Sequence, residues 1–202
     1  MAYPTISAPY GLIPVNLIGG QVFAGSTRQI PITASSATSI FFGDVVKLTG
    51  AGTIDRDVGT DAATPVGVFM GCSYTDATYG KTFRQYYALN AAADIVAYVC
   101  DDPSALFKVA VVSATTTIGY VNRTSVGNNA VLVQNTGSTI TGNSAVAIDN
   151  TTATTSTWPI RIIDVVPETV SASGSFTEVI VKWNAPSDGA TGGHQYLLAT
   201  GV

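Results

Sequence analysis

"FTEVIVKW", residues 176–183, is the stretch whose reading decides the fold. Thr177, Val179, Val181 and Trp183 occupy alternate positions, with Glu178, Ile180 and Lys182 between them. Successive side chains of a strand point to opposite faces, so this period of two sends one row to a core and the other outward. The same texture recurs upstream in "GDVVKLTG" (43–50), "TPVGVFMGCSY" (64–74), "KTFRQYYAL" (81–89), "DIVAYVCD" (94–101) and "ALFKVAVV" (105–112). It continues in "NAVLVQN" (129–135), "AVAI" (145–148) and "WPIRIIDVV" (158–166). Gly, Pro, Asn, Asp or Thr bounds each segment, and short strands at this spacing predict a sandwich or barrel. No stretch has the periodicity of an amphipathic helix; "DDPSALFKV" (101–109) opens with at most one helical turn. The fold class is all-β.

The organisation expected from this pattern is an extended N-terminal arm (1–20), a β domain (21–183) and a C-terminal tail (184–202). Prolines 4, 9 and 14 remove ladder donors, so the arm is not expected to form a central strand. Yet Tyr3, Ile6, Tyr10, Leu12, Ile13, Val15, Leu17 and Ile18 are too apolar for a solvated tail. An extended segment packed along a surface satisfies both facts, and that surface belongs either to its own domain or to a neighbouring subunit. Residues 113–157 are dense in Thr, Ser, Asn and Gly and predict short strands and tight turns, with an extra layer on the domain as one arrangement. The tail from Asn184 is a Gly-rich loop ending in a small apolar patch at Tyr196, Leu197 and Leu198.

Composition narrows the function. Of 202 residues only 11% are charged, where a soluble domain carries about 25%. A surface so poor in charge is weakly defended against association, which suits a protein covered by neighbours. Nine Lys and Arg, scattered singly in a chain of net charge −4, form no basic stripe, so nucleic acid is not an expected partner. No apolar run approaches the ~18–20 residues of a membrane-spanning helix. The opening stretch has no basic region followed by an unbroken apolar run, so synthesis and folding in a cytoplasm are expected. Asn122 ("NRT") and Asn150 ("NTT") then match the glycosylation rule by chance.

Residues able to carry chemistry are sparse. The single histidine, His194, lies in "TGGHQY" and reads as an exposed or interfacial polar residue rather than a base. Asp101 and Asp102 are adjacent and followed by Pro103, a strand end and turn rather than a catalytic pair. "DRDVGTD" spaces Asp55, Asp57 and Asp61 loosely like a calcium loop, but Thr60 and Val66 stand where that loop needs Gly and Glu. A polar hairpin turn explains it better. Cys72 and Cys100, inside apolar runs, read as buried free thiols, with a disulfide as the alternative. Trp158, Trp183, Tyr74, Tyr79, Tyr86 and Tyr87 would make a sugar-stacking platform only if several proved coplanar and exposed. No enzyme, metal or cofactor is expected.

Several segments together resemble a known family. "YGLIPVNLIGG" (10–20), "FFGDVVKLTGAGTI" (41–54), "TPVGVFMGCSYTD" (64–76), "DDPSALFKV" (101–109), "WPIRIIDVVPET" (158–169) and "TEVIVKWN" (177–184) with "HQY" (194–196) are similar to capsid decoration, or cement, proteins of tailed phages. The resemblance runs nearly end to end, and the "GDVV…PVGVF" pattern is shared more loosely by β-tulip head-decoration proteins. It implies a β-tulip-like domain on the outer surface of the virion, bound to the major capsid protein and clamping neighbouring subunits. A trimer on three-fold positions is the expected oligomer, with a dimer as the alternative. The N-terminal arm is the expected clamp, with Tyr3, Tyr10, Leu12, Ile13 and Val15 as anchors. A carbohydrate- or receptor-binding module and a tail or baseplate component are the competing readings.

Overall fold

A computed structural model of the chain describes residues 6–33, 36–89, 92, 94–170, 174–185 and 192–199, so Tyr3 lies outside the described residues. Thirteen strands appear among them: β1 Ile13–Leu17, β2 Arg28–Pro31, β3 Val45–Leu48, β4 Ile54–Arg56, β5 Gly67–Asp76, β6 Gly80–Arg84 and β7 Val96–Cys100, then β8 Ala105–Ala114, β9 Thr117–Ile118, β10 Asn129–Val133, β11 Ala147–Ala153, β12 Ile160–Val165 and β13 Glu178–Trp183. The helical content of the described residues is three single turns of 3-10 helix, at Arg123–Ser125, Pro167–Thr169 and Gln195–Leu197. The chain is all-β.

Five strands close on themselves. β8 pairs in parallel with β11, β11 with β10, β10 with β12 and β12 with β13, and β13 returns to β8 with Val181 opposite Phe107. The alternation read from 176–183 is realised here: Thr177, Val179, Val181 and Trp183 are all 0% exposed. They meet Phe107, Val109, Leu132, Ile148, Ile160 and Ile162 inside the ring. The Phe107 and Trp183 rings pack tilted at 54° with centroids 5.3 Å apart. Burying each such aliphatic or Phe side chain contributes about 1.5–3 kcal/mol. Closure also removes the unpaired edges of an open sheet.

The second sheet runs β2-β7-β5-β3-β4, with β6 added to β5. A parallel bridge between Ile32 and Ile54 draws β2 toward β4, curling this sheet round a second core of Ile30, Ile40, Val46, Phe69, Tyr74 and Val99. β5 serves both cores, since Val68 packs into the barrel core and Phe69 into the other. A register shift between Phe69 and Cys72 follows, with Gly71 at φ +122°. A side chain is excluded there by conformation and by the Arg84 carbonyl, 3.1 Å from where a Cβ would stand.

A buried polar cluster staples the two sheets. Asp44, 0% exposed, accepts the Phe41 N–H at 2.9 Å through Oδ2 and the Ser144 hydroxyl at 2.5 Å through Oδ1. Its Oδ2 lies 3.3 Å from Arg56 Nε, and Arg56 donates to the Asn135 carbonyl at 2.7 Å. Asn135 and Ser144 come from the β10–β11 connection, whereas Asp44 immediately precedes β3 and Arg56 ends β4 of the second sheet. Burial holds the Asp44 carboxyl above its ordinary pKa, against the pull of Arg56, Ser144 and the Phe41 N–H.

The structure revises the expected organisation at three places. The segment from Ile6 to Leu17 lies on its own domain: β1 pairs with β8, and the Gly11 N–H donates to Val146 while the Leu12 N–H donates to Gly43. β1 meets only one strand along its length, which accommodates Pro14. Residues 113–157 are not an added layer, because β10 and β11 are two of the five barrel staves. Ala130 and Leu132 on one stave, and Val146 and Ile148 at the other, reach the barrel core despite the polar background. The C-terminal tail is docked over 192–199: the Gly193 and Gln195 N–H groups donate to Ala63 and Pro65. The Gln195 amide pairs with both backbone groups of Leu48 like a short strand, at 2.6 and 3.2 Å.

Candidate functional site

The β5–β6 hairpin projects from the second sheet and carries the most exposed aromatics of the described residues, Tyr79 at its tip (83%) and Phe83 on β6 (68%). Phe83 stacks on Tyr98 of β7, with centroids 6.0 Å apart and planes 22° apart. Ser73, between them on β5, holds the Tyr98 hydroxyl at 3.2 Å. Beside this pair lies an open groove of about 470 Å³, floored by Met70, Gly71 and Cys72 and walled by Phe83, Arg84 and Gln85. A second concavity of about 330 Å³ shares Phe83, Arg84 and Gln85 and runs on to Tyr86 and Ile140. Ile140, 94% exposed, stands at the crest of the turn 138–142.

Both walls are built rigidly. Asp76 Oδ1 accepts the N–H groups of Thr78 and Tyr79, fixing the hairpin turn, and those bonds hold its pKa below the ordinary value. Asp94 braces the same end of the hairpin, accepting the hydroxyl and N–H of Thr75, and its pKa is lowered by them. The opposite turn closes through Gly142 N–H to Ser138 O at 2.8 Å, and Gln85 ties it to the hairpin by donating to Asn143 Oδ1 at 2.5 Å. Beneath it Phe41 and Tyr86 stack at 5.4 Å. Cys72, on the floor, is 1% exposed, and burial pushes its thiol up to about 11, so it is protonated at neutral pH. The surface can therefore offer apolar and aromatic contact edged by amides, on a frame that need not reorganise.

The residues expected to act as anchors of an arm are placed as follows. Leu12 is 0% exposed and belongs to the barrel core of its own chain, which removes it from any partner contact. Tyr10 donates its hydroxyl to Glu178, and Lys108 lies 3.0 Å from the same carboxylate and 5.8 Å from the Tyr10 ring centroid. Ile13 and Val15 are half-buried on β1. The three aspartates of the calcium-like spacing do not converge. Asp55 accepts from Ser36 at 2.9 Å, Asp57 is spent on the Gly59 and Thr64 N–H groups, and Asp61 is exposed. Among the described residues no group of three or more His, Cys, Asp or Glu could hold a metal ion.

The sugar-stacking platform is not assembled, because Trp183, Tyr74 and Tyr87 are core residues and only Tyr79 of that set is exposed. Cys72 and Cys100 are free and buried, one in each core. Asp101 and Asp102 part company as a strand end should: Asp102 caps the Ser104 N–H, while Asp101 sits 2.7 Å from Arg28 and accepts from the Tyr196 hydroxyl at 3.0 Å. His194 corrects the sequence reading. Rather than exposed or interfacial it is 0% exposed, since the Gly192–Gly193 turn folds it against Trp183 and Tyr196, at 6.4 and 5.2 Å. Its Nδ1 accepts the Tyr196 N–H at 3.2 Å. Burial lowers its pKa to about 4, against Asp101 and Asp102 pulling upward, so the ring is neutral at pH 7.

Sequence reasoning passed over Phe83, Tyr98 and Ile140. Phe83 and Ile140 carried one signal, an isolated large apolar side chain among polar neighbours, "KTFRQ" and "STITG", whereas Tyr98 lies in an apolar run and carried none. Comparison with family models, with curated proteins and with solved structures finds no match to this chain.

Proposed function

We propose that this chain is a structural virion protein that binds the outer surface of a tailed-phage capsid and braces neighbouring major capsid subunits, acting through the groove between the β5–β6 hairpin and the 138–142 turn. The observation that carries the reading is a pair of large apolar side chains, Phe83 on β6 and Ile140 on the 138–142 turn, held exposed on either side of one groove. Isolated exposed apolar residues are ordinary, but two on one preorganised concavity, in a charge-poor chain, suit a protein partner. The resemblance to decoration proteins, which runs nearly end to end, implies the major capsid protein as that partner. The docked N-terminal segment moves the proposed contact from the arm to this face. A trimer on three-fold sites remains the proposed oligomer, since symmetric sites recruit symmetric assemblies.

The test is the double variant F83S/I140S, added to capsids lacking the protein. Both side chains are solvent-exposed, so the melting temperature should hold while capsid binding falls at least tenfold, the loss expected of hot-spot residues. Binding at wild-type strength by a folded double variant would move the contact elsewhere on the domain. Purified protein and capsid-bound protein that are both monomeric would refute the trimer.

A further inference from the structure

The barrel wall carries two cations that no carboxylate of the described residues balances. Arg161 on β12 and Lys182 on β13 stand directly opposite each other in the antiparallel ladder. Both point outward, because Ile160, Ile162, Val181 and Trp183 on either side of them are 0% exposed within the barrel. Like charges facing each other across a ladder destabilise the pairing. The four ion pairs among the described residues, Arg28–Asp101, Arg56–Asp44, Lys108–Glu178 and Arg123–Asp164, include neither.

Geometry adds a concave seat to this charge. A cleft of about 230 Å³ lies between the two side chains, rimmed by Ser156 and Asn184. Arg161 is aimed by a buried partner: its Nε donates to Asn129 Oδ1 at 3.0 Å, and Asn129, 2% exposed, is itself tied to the Thr155 carbonyl at 2.8 Å. The two terminal nitrogens of the guanidinium have no protein partner among the described residues. Asn184, 5% exposed, fixes the facing rim by donating to the Ser156 and Trp158 carbonyls at 3.2 and 3.0 Å. An oriented guanidinium fork beside an ammonium matches two oxygens of one small anion. Its placement on barrel strands gives it the rigidity that such a site needs.

We propose that this cleft is an oxyanion seat, holding one phosphate or carboxylate group between the Arg161 fork and the Lys182 ammonium. The seat is sized for a single group. It lies on the barrel, apart from the hairpin groove, and does not depend on what binds there.

The test is a titration of the full chain with inorganic phosphate, and separately with glutamate, at constant ionic strength set by chloride, followed by amide and indole resonances. Saturable shifts should centre on residues 156, 161 and 182–184, and R161Q and K182Q should each weaken binding about tenfold or more. Saturation by both anions or by phosphate alone supports the seat, the latter marking a tetrahedral preference; saturation by glutamate alone supports it with a carboxylate occupant. Shifts that grow linearly with either anion, or that persist unchanged in K182Q, would overturn it. K182Q, which alters a partly exposed lysine whose ammonium has no hydrogen-bond partner among the described residues, keeps the test valid if R161Q fails to fold.

Discussion

His194 makes acid sensitivity a quantitative test of how the tail is docked. Its pKa is about 4 in the folded chain against an ordinary value of 6.5. At about 1.4 kcal/mol for each tenfold change in proton affinity, the difference is worth roughly 3 kcal/mol. The sign follows from which state binds the proton more readily. The unfolded chain does, so the neutral ring favours the folded state above pH 6.5, and that advantage is lost as pH falls from 6.5 through 4. Asp44, whose pKa is raised by burial, works in the opposite direction and is common to every variant compared. The chain has one histidine, so its ring proton resonance reports the titration without ambiguity. We expect a midpoint near 4, and a stability loss between pH 7 and pH 4 that is larger by up to roughly 3 kcal/mol in wild type than in H194Q. If local undocking of residues 192–199 costs less than that, the extra loss stops at the undocking free energy and exchange of the Gln195 N–H accelerates over the same pH range. A midpoint at or above 6.5, or parallel pH profiles for wild type and H194Q, would refute the buried, docked placement of the ring.

Two further outcomes bear on the scaffold. Leu12→Ala should cost about 3 kcal/mol in urea unfolding, because it empties a fully buried site in the barrel core; a change below ~1 kcal/mol would return the N-terminal segment to the role of a free arm. Arg56→Met leaves the Asp44 carboxylate buried beside no cation and should cost roughly 3 kcal/mol or more, measured the same way. Adding Asp44→Asn to it should recover part of that loss, and strict additivity of the two would show that the pair does not interact.

Most of the strand pattern was legible because burial writes itself into alternation. The segments read at 64–74, 94–101, 105–112, 129–135 and 176–183 each contain a strand, and the apolar positions of the last line the barrel. What could not be read is where a surface goes. The N-terminal segment looks the same in sequence whether its apolar row meets a neighbour or β8, and only the Gly11–Gly43 crossing decides it: a Cβ on Gly11 would come within 2.7 Å of the Gly43 carbonyl. The two cores were also illegible, since β5 reads as one apolar run whichever core each side chain enters. The groove was missed for a related reason. Its walls come from β6 and from the 138–142 turn, far apart in sequence, and exposure at Phe83 and Ile140 is set by that meeting rather than by local composition. His194 was misread because a Gly-Gly context suggests a loose loop, whereas here the two glycines permit the tight return that buries it.

The order in which the chain is made bears on the docked N-terminal segment. Residues of the second sheet, from β2 to β7, are synthesised before any of β8, so that sheet can form while the barrel does not exist. Tyr10, by contrast, finds its carboxylate partner 168 positions later, on the strand that closes the ring. At about 5–20 residues per second, that wait lasts roughly ten to thirty seconds. Until β8 emerges Ile13 lacks its ladder partner Lys108, whereas Tyr10 waits for Glu178 on β13. The N-terminal segment is therefore secured in two stages, its ladder by β8 and its Tyr10 hydroxyl by β13, and its apolar row is an aggregation hazard until the first of them.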